Sequence, residues 1–179
     1  MNILIGTGLL LLVLALFTLF SYKAPQGMKA MGALASAACA SFLVEAFHSA
    51  FFGDVLKIGF LKEVGLSNGS LGGVAAAILV PLALGVSPIY AVLLGLSCSG
   101  LGIIPGFIAG YFMSFVVKYL EKKLPGGLDL IVIIVFAAPL TRFIGNCMTP
   151  IVNSTLLNIG RILTSASKIG RASCRERVS

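Results

Sequence analysis

Two small groups of residues have the types and spacing that chemistry would need. Arg142 is followed one turn later by Asn146 and further on by Asn153, and Glu45 lies three residues before His48 in another apolar stretch. A guanidinium with carboxamides supplies forked donors and acceptors. A carboxylate and an imidazole at i and i+3 on one helical face can share a hydrogen bond or converge on a hydroxyl. That is the chemistry of holding a neutral polyol. Phosphoryl or acyl transfer would leave other marks, and no Walker loop, GxGxxG in a βαβ context, HExxH or nucleophile elbow occurs. Cys39, Cys98, Cys147 and Cys174 show neither CxxC nor Cys/His ligand spacing, so neither a metal site, a cofactor nor a disulfide framework is expected.

Each group also has a structural alternative. An arginine at membrane depth costs about 2.5–3.5 kcal/mol even on the insertion scale, and that cost has to be offset. Snorkelling to the interface would do so, as would a static pair with Glu45 or Asp129. A place in the path of a substrate is the other reading. Glu45 and His48 could bind substrate, or could merely finish a helix within reach of interfacial water.

The surroundings of these residues are lipid-like. Of 179 residues, 58% are apolar and only 11% are charged, and the mean hydropathy is +1.06. A soluble domain carries about a quarter charged residues, so too few are present here to cover a water-facing surface. The expected fold is an all-α membrane protein, a polytopic helical bundle of about six apolar segments with broken or re-entrant helices. The net charge of +7 does not indicate nucleic acid, because Lys168, Arg171, Arg175 and Arg177 crowd into the last twelve residues. Without that tail, nine bases face five acids. The tail, KIGRASCRERVS, resembles the read-through translation of a sequencing adapter. Residues 168–179 are therefore read as non-native, and residues 1–167 as the truncated first part of one membrane domain.

The elements that must position the candidate residues follow from apolar runs and their breaks. Residues 2–20 form a first span, followed by a polar connection holding Tyr22, Lys23, Pro25 and Lys29. Residues 31–52 form a second, in which Ala33, Ala37, Ser41, Glu45 and Ser49 recur every four residues on one face with His48. Residues 54–70 read as a mixed loop with a short interfacial helix in its middle. Residues 71–119 contain no acid and Lys118 as the only base. Three crossings, at 71–86, 89–99 and 105–119 with the middle one short, place Lys23 and Lys29 on the side of Lys118, Lys122 and Lys123, as the positive-inside rule requires. Gly102, Gly106 and Gly110 give the last of these a GxxxGxxxG packing face. Residues 128–166, interrupted by Pro139, Gly145 and Pro150, read as a discontinuous or re-entrant segment lining a cavity.

The runs FLVEAFHSAFFGD, GLDLIVIIVFAAPLTRFIG and TPIVNSTLLNIG resemble the phosphotransferase system enzyme IIC family, which includes perfringolysin regulator-like membrane proteins. The likeness covers residues 1–167 and is strongest around APLTRFIG and PIVNSTLL. It implies a multi-pass sugar permease of the bacterial inner membrane, embedded in the lipid bilayer and working as a homodimer. Such a permease passes a carbohydrate to a IIB component that phosphorylates it, with IIA upstream. The alternative is a membrane regulatory protein that keeps the permease scaffold and controls toxin expression without transport.

Overall fold

A computed structural model describes residues 2–124, 128–155 and 157. The tail at 168–179 and the end of the segment 128–166 lie outside the described residues. The chain divides into two compact units, one made of Met1–Pro25 with Pro150–Ser179 and the other of Gln26–Thr149. The first contains helix α1 (Asn2–Lys23), whose Leu11, Leu12, Leu14, Leu16 and Leu19 are exposed on more than one face. A helix that is apolar all round is suited to lipid.

The second unit opens with α2 (Gly27–Val55), which starts from Gln26 in the left-handed region (φ 57°). It is α-helical to Glu45 and π-helical from Ala46 to Val55. After a turn come α3 (Gly59–Ser70) and α4 (Gly72–Ala83), bent by 53° at Leu71, which run back along α2. The register is regular: Gly53 lies against Lys62, Ser49 against Gly65, Glu45 against Gly69 and Ser41 against Gly72. A row spaced every four residues drifts around an α-helix of 3.6 residues per turn, and the wider π turns, bonded i to i+5, correct the drift. Of the face expected at Ala33, Ala37, Ser41, Glu45 and Ser49, the last three are kept against α3 and α4, and Ala33 and Ala37 are buried. Residues 59–70, read from sequence as part of a loop with a short helix, are helical throughout.

Helices α4, α5 (Pro88–Ser97) and α6 (Ile103–Lys123) carry the next layer. Pro88 stands at the first position of α5, where a missing N–H costs nothing. Gly73 and Ala77 of α4 meet Gly106 and Gly110 of α6 in the same order, so the two helices run parallel. A Cβ on Gly106 would strike the Gly73 carbonyl, which makes this a backbone-on-backbone crossing that only glycine permits. Gly102 meets Gly73 only through its carbonyl; a Cβ there would meet Pro105 alone, at 3.6 Å, so this position does not require glycine. Helix α5 returns antiparallel, with Gly95 against Ile78. Its Tyr90 and Leu94 join Val86, Met113, Val117, Ile133 and Ala137 in the main core.

The last helix corrects the sequence reading. Instead of a discontinuous or re-entrant segment, α7 (Leu128–Thr155) is one helix running through Pro139, Gly145 and Pro150. A π-helical turn at Ile133–Ala137 accommodates the first proline. Thr141 donates to the Ala137 carbonyl (2.6 Å) and Thr149 to the Gly145 carbonyl (2.8 Å). Neither acceptor is the carbonyl that a proline leaves open, which is that of Val135 for Pro139 and that of Asn146 for Pro150.

Among the described residues, α2, α6 and α7 are long and apolar enough to cross a membrane, and the bent pair α3–α4 would be a fourth. About six crossings were expected, and α5 accounts for part of the difference. Its ten residues reach about 15 Å, half of a hydrocarbon core. The break that the fold does contain is at Leu71, together with the non-helical stretch at residues 98–102.

Candidate functional site

The two breaks adjoin each other. Gly72, just past the first, lies against Ile103 at the start of α6 and has Ser41 Oγ 3.4 Å from where its Cβ would be. Gly73 lies against the carbonyls of Leu101 and Gly102 in the second. Within that stretch Gly100 has φ 76°, a conformation that side chains rarely adopt. Leu101 packs with Ala77, Cys98 and Ala109, and Gly145 of α7 closes on the Leu101 side chain.

Arg142 reaches this place from α7. Its Nη1 donates to the carbonyl of Ser97 at 3.4 Å and to that of Ser99. These carbonyls end α5, where the helix dipole is negative and the last C=O groups have no partner within the helix. The cost of the arginine is thus offset by backbone, a partner that the sequence reading, with its pair to Glu45 or Asp129, did not contain. Asp129 is occupied elsewhere, accepting a 2.5 Å hydrogen bond from the Tyr90 hydroxyl near the other end of α5.

The remaining candidates are distributed as follows. Asn146 is exposed one turn beyond Arg142 on α7. Glu45 is half-buried on α2 against Gly69, two residues before the break at Leu71. His48 turns its Nδ1 to the Val44 carbonyl (3.0 Å) and its ring toward Phe52, and no Glu45–His48 hydrogen bond forms among the described residues. Asn153 is exposed and falls in the other unit. Glu45 therefore borders the first break and Arg142 the second, and the breaks meet at Gly72 and Gly73.

Two charged residues of α6 act on the bend between α4 and α5 and were not singled out from the sequence. Lys118 Nζ donates to the Leu84 carbonyl at 2.6 Å, and the Ser87 N–H donates to Glu121 Oε1 at 3.4 Å. The one available sequence signal was that residues 71–117, free of charge, are followed directly by KYLEKK.

The antiparallel register of α2 against α3 and α4 turns the start of α2 toward the Ala83 end of α4. Lys29 thus lies at the end of the unit that holds Lys118, Lys122 and Lys123. Helix α5 starts past the bend that Lys118 holds and reaches about 15 Å, and Arg142, exposed on α7, meets its far end. A short helix ending beside another helix break is how membrane proteins place irregular backbone against a polar cargo.

The family model described as "Phosphotransferase system, EIIC" matches residues 28–170, from α2 through α7 and beyond. No curated protein and no solved structure matches the chain. The match covers well over half of the sequence and coincides with the apolar helices that carry the two breaks. The chain is an integral membrane protein and belongs to the phosphotransferase system enzyme IIC family.

Proposed function

We propose that the protein is the sugar-translocating component of a phosphoenolpyruvate-dependent phosphotransferase system, and that its carbohydrate passes the adjoining helix breaks at Leu71 and residues 98–102. The observation that supports this most is the arginine bonded to the backbone where the ten-residue helix α5 ends beside the other break. Both of its hydrogen bonds to the α5 end use Nη1, so the Nη2 and Nε protons are the ones a sugar hydroxyl would accept. Asn146, one turn away, adds a donor and an acceptor on the same helix. Glu45 at the first break supplies a carboxylate for hydroxyls, with His48 beside it; Asn153, which falls in the other unit, is a further candidate. A IIB component on the lysine-rich side, taken as cytoplasmic by the positive-inside rule, would receive the sugar there and phosphorylate it, with IIA upstream. The working form is a homodimer in the bacterial inner membrane.

Reconstitution of the full-length protein in vesicles with IIA and IIB proteins tests this reading. Carbohydrate should be taken up and appear inside as its phosphate ester only when phosphoenolpyruvate is supplied. Uptake driven by an ion gradient, or absence of uptake for every sugar offered, contradicts it.

A further inference from the structure

Residues 72–97, the hairpin of α4 and α5, contain no Asp, Glu, Lys or Arg. Charged side chains of α6 and α7 nevertheless meet its backbone at both ends. At the bend, Lys118 holds the carbonyl of Leu84, just past α4, and Glu121 accepts from the N–H of Ser87, just before α5. At the tip, Arg142 holds the carbonyls of Ser97 and Ser99. The signs follow the helix ends, cations on carbonyl ends and the anion on the amide end. Lys118 and Glu121 are one turn apart on α6, yet no ion pair joins them among the described residues, and each is directed to the bend.

A ten-residue helix cannot be held in place by reaching both surfaces of a bilayer. Its contacts with α6 run through Tyr90, Leu94, Met113 and Val117, apolar groups that specify depth weakly. Its ends, by contrast, leave backbone groups that must find polar partners in an apolar setting. The position of those partners along α6 therefore decides the position of α5. A slip of one helical turn would move the tip by about 5 Å.

We infer that Lys118 and Glu121 are positioning residues of the transport site: by clamping the bend between α4 and α5 they set the depth at which α5 presents the Ser97 and Ser99 carbonyls to Arg142. The link to transport rests on the reading that sugar passes this tip; the clamp itself does not.

The test uses Cys98, fully buried beside the tip, as a reporter. In the full-length protein, with every other cysteine replaced by alanine, the rate of maleimide labelling at Cys98 follows the tip whether or not sugar moves. Lys118→Met should raise that rate about tenfold, in keeping with the loss of one charge-assisted hydrogen bond, and Lys118→Arg should leave it near the parent value. The double exchange Lys118→Glu with Glu121→Lys should label as fast as Lys118→Met, because the charges then oppose the helix ends. Restoration by that exchange would mean that the two residues serve only each other, and overturns the inference. Glu121→Met, which removes the acceptor while keeping the length of the side chain, provides the same reading if Lys118→Met fails to reach the membrane; an unchanged rate in it overturns the clamp. In uptake assays Lys118→Met should raise KM more than it lowers the maximal rate, with Lys118→Arg restoring both. Faster labelling without uptake in any variant, parent included, sustains the clamp and removes the sugar reading instead.

Discussion

Arg142 shows how little a side-chain inventory says about a charge in lipid. From the sequence its partner had to be an acid or the interface, because those are what a list of residues contains. The structure gives it the carbonyls of Ser97, the last residue of α5, and of Ser99 just beyond, partners available only once residues 98–102 have left the helix. Its residue type was legible; its partner was not, because backbone groups are freed by tertiary structure. Glu45 tests the other half of the site. Exchanging it for Gln removes a charged acceptor, worth about 1.5–3 kcal/mol where it binds a hydroxyl, so sugar uptake by the full-length protein should fall roughly tenfold or more. Uptake equal to the parent's would leave Glu45 as a helix-packing residue set against Gly69.

At the scale of elements, proline was a good guide in one place and a poor one in another. Pro88 and Pro105 lie in the first turns of α5 and α6, where a lost N–H matters least, and so mark where those helices start, whereas Pro81 lies inside α4. Pro139 and Pro150 suggested a break that α7 does not have. The helix runs on through both, with a π turn just before the first, and such turn geometry is not something that spacing alone reveals. The break that exists, at Leu71, follows the SNGS turn signal that was read as a loop. The GxxxGxxxG face was read correctly at two of its three positions. Gly106→Val should destabilise the solubilised protein by about 1–3 kcal/mol, since a side chain there must push the α4 backbone away. Gly102→Ala, at φ −67° with open space around it, should leave the melting temperature unchanged. Thermal unfolding of both variants in detergent checks the contrast, and equal melting points would remove the close crossing.

On the scale of the whole molecule, the membrane class followed from charge content alone, because 11% charged residues cannot cover a water-facing surface. The arrangement of spans did not, since α5 is too short to cross and α3–α4 is bent. Within the Gln26–Thr149 unit, the helix pairings bring Lys29 to the end that carries Lys118, Lys122 and Lys123, while Asp54, Lys57 and Lys62 lie at the other. Cysteines introduced at Lys123 and Lys57 should therefore be labelled from opposite sides of intact cells, with the Lys123 position reached from the cytoplasm. Labelling of both from one side would break the antiparallel register on which the depth of the site depends.

The central claim is that sugar is held where Arg142 meets the end of α5. Phosphoenolpyruvate-dependent uptake by the full-length Arg142→Gln variant, reconstituted with IIA and IIB and matched to the parent for protein in the membrane, addresses it most directly. Losing the guanidinium removes charge-assisted hydrogen bonds worth about 1.5–3 kcal/mol, so uptake should fall roughly 10- to 100-fold, with Arg142→Lys recovering only part of it. Parent-level uptake by Arg142→Gln would contradict the account.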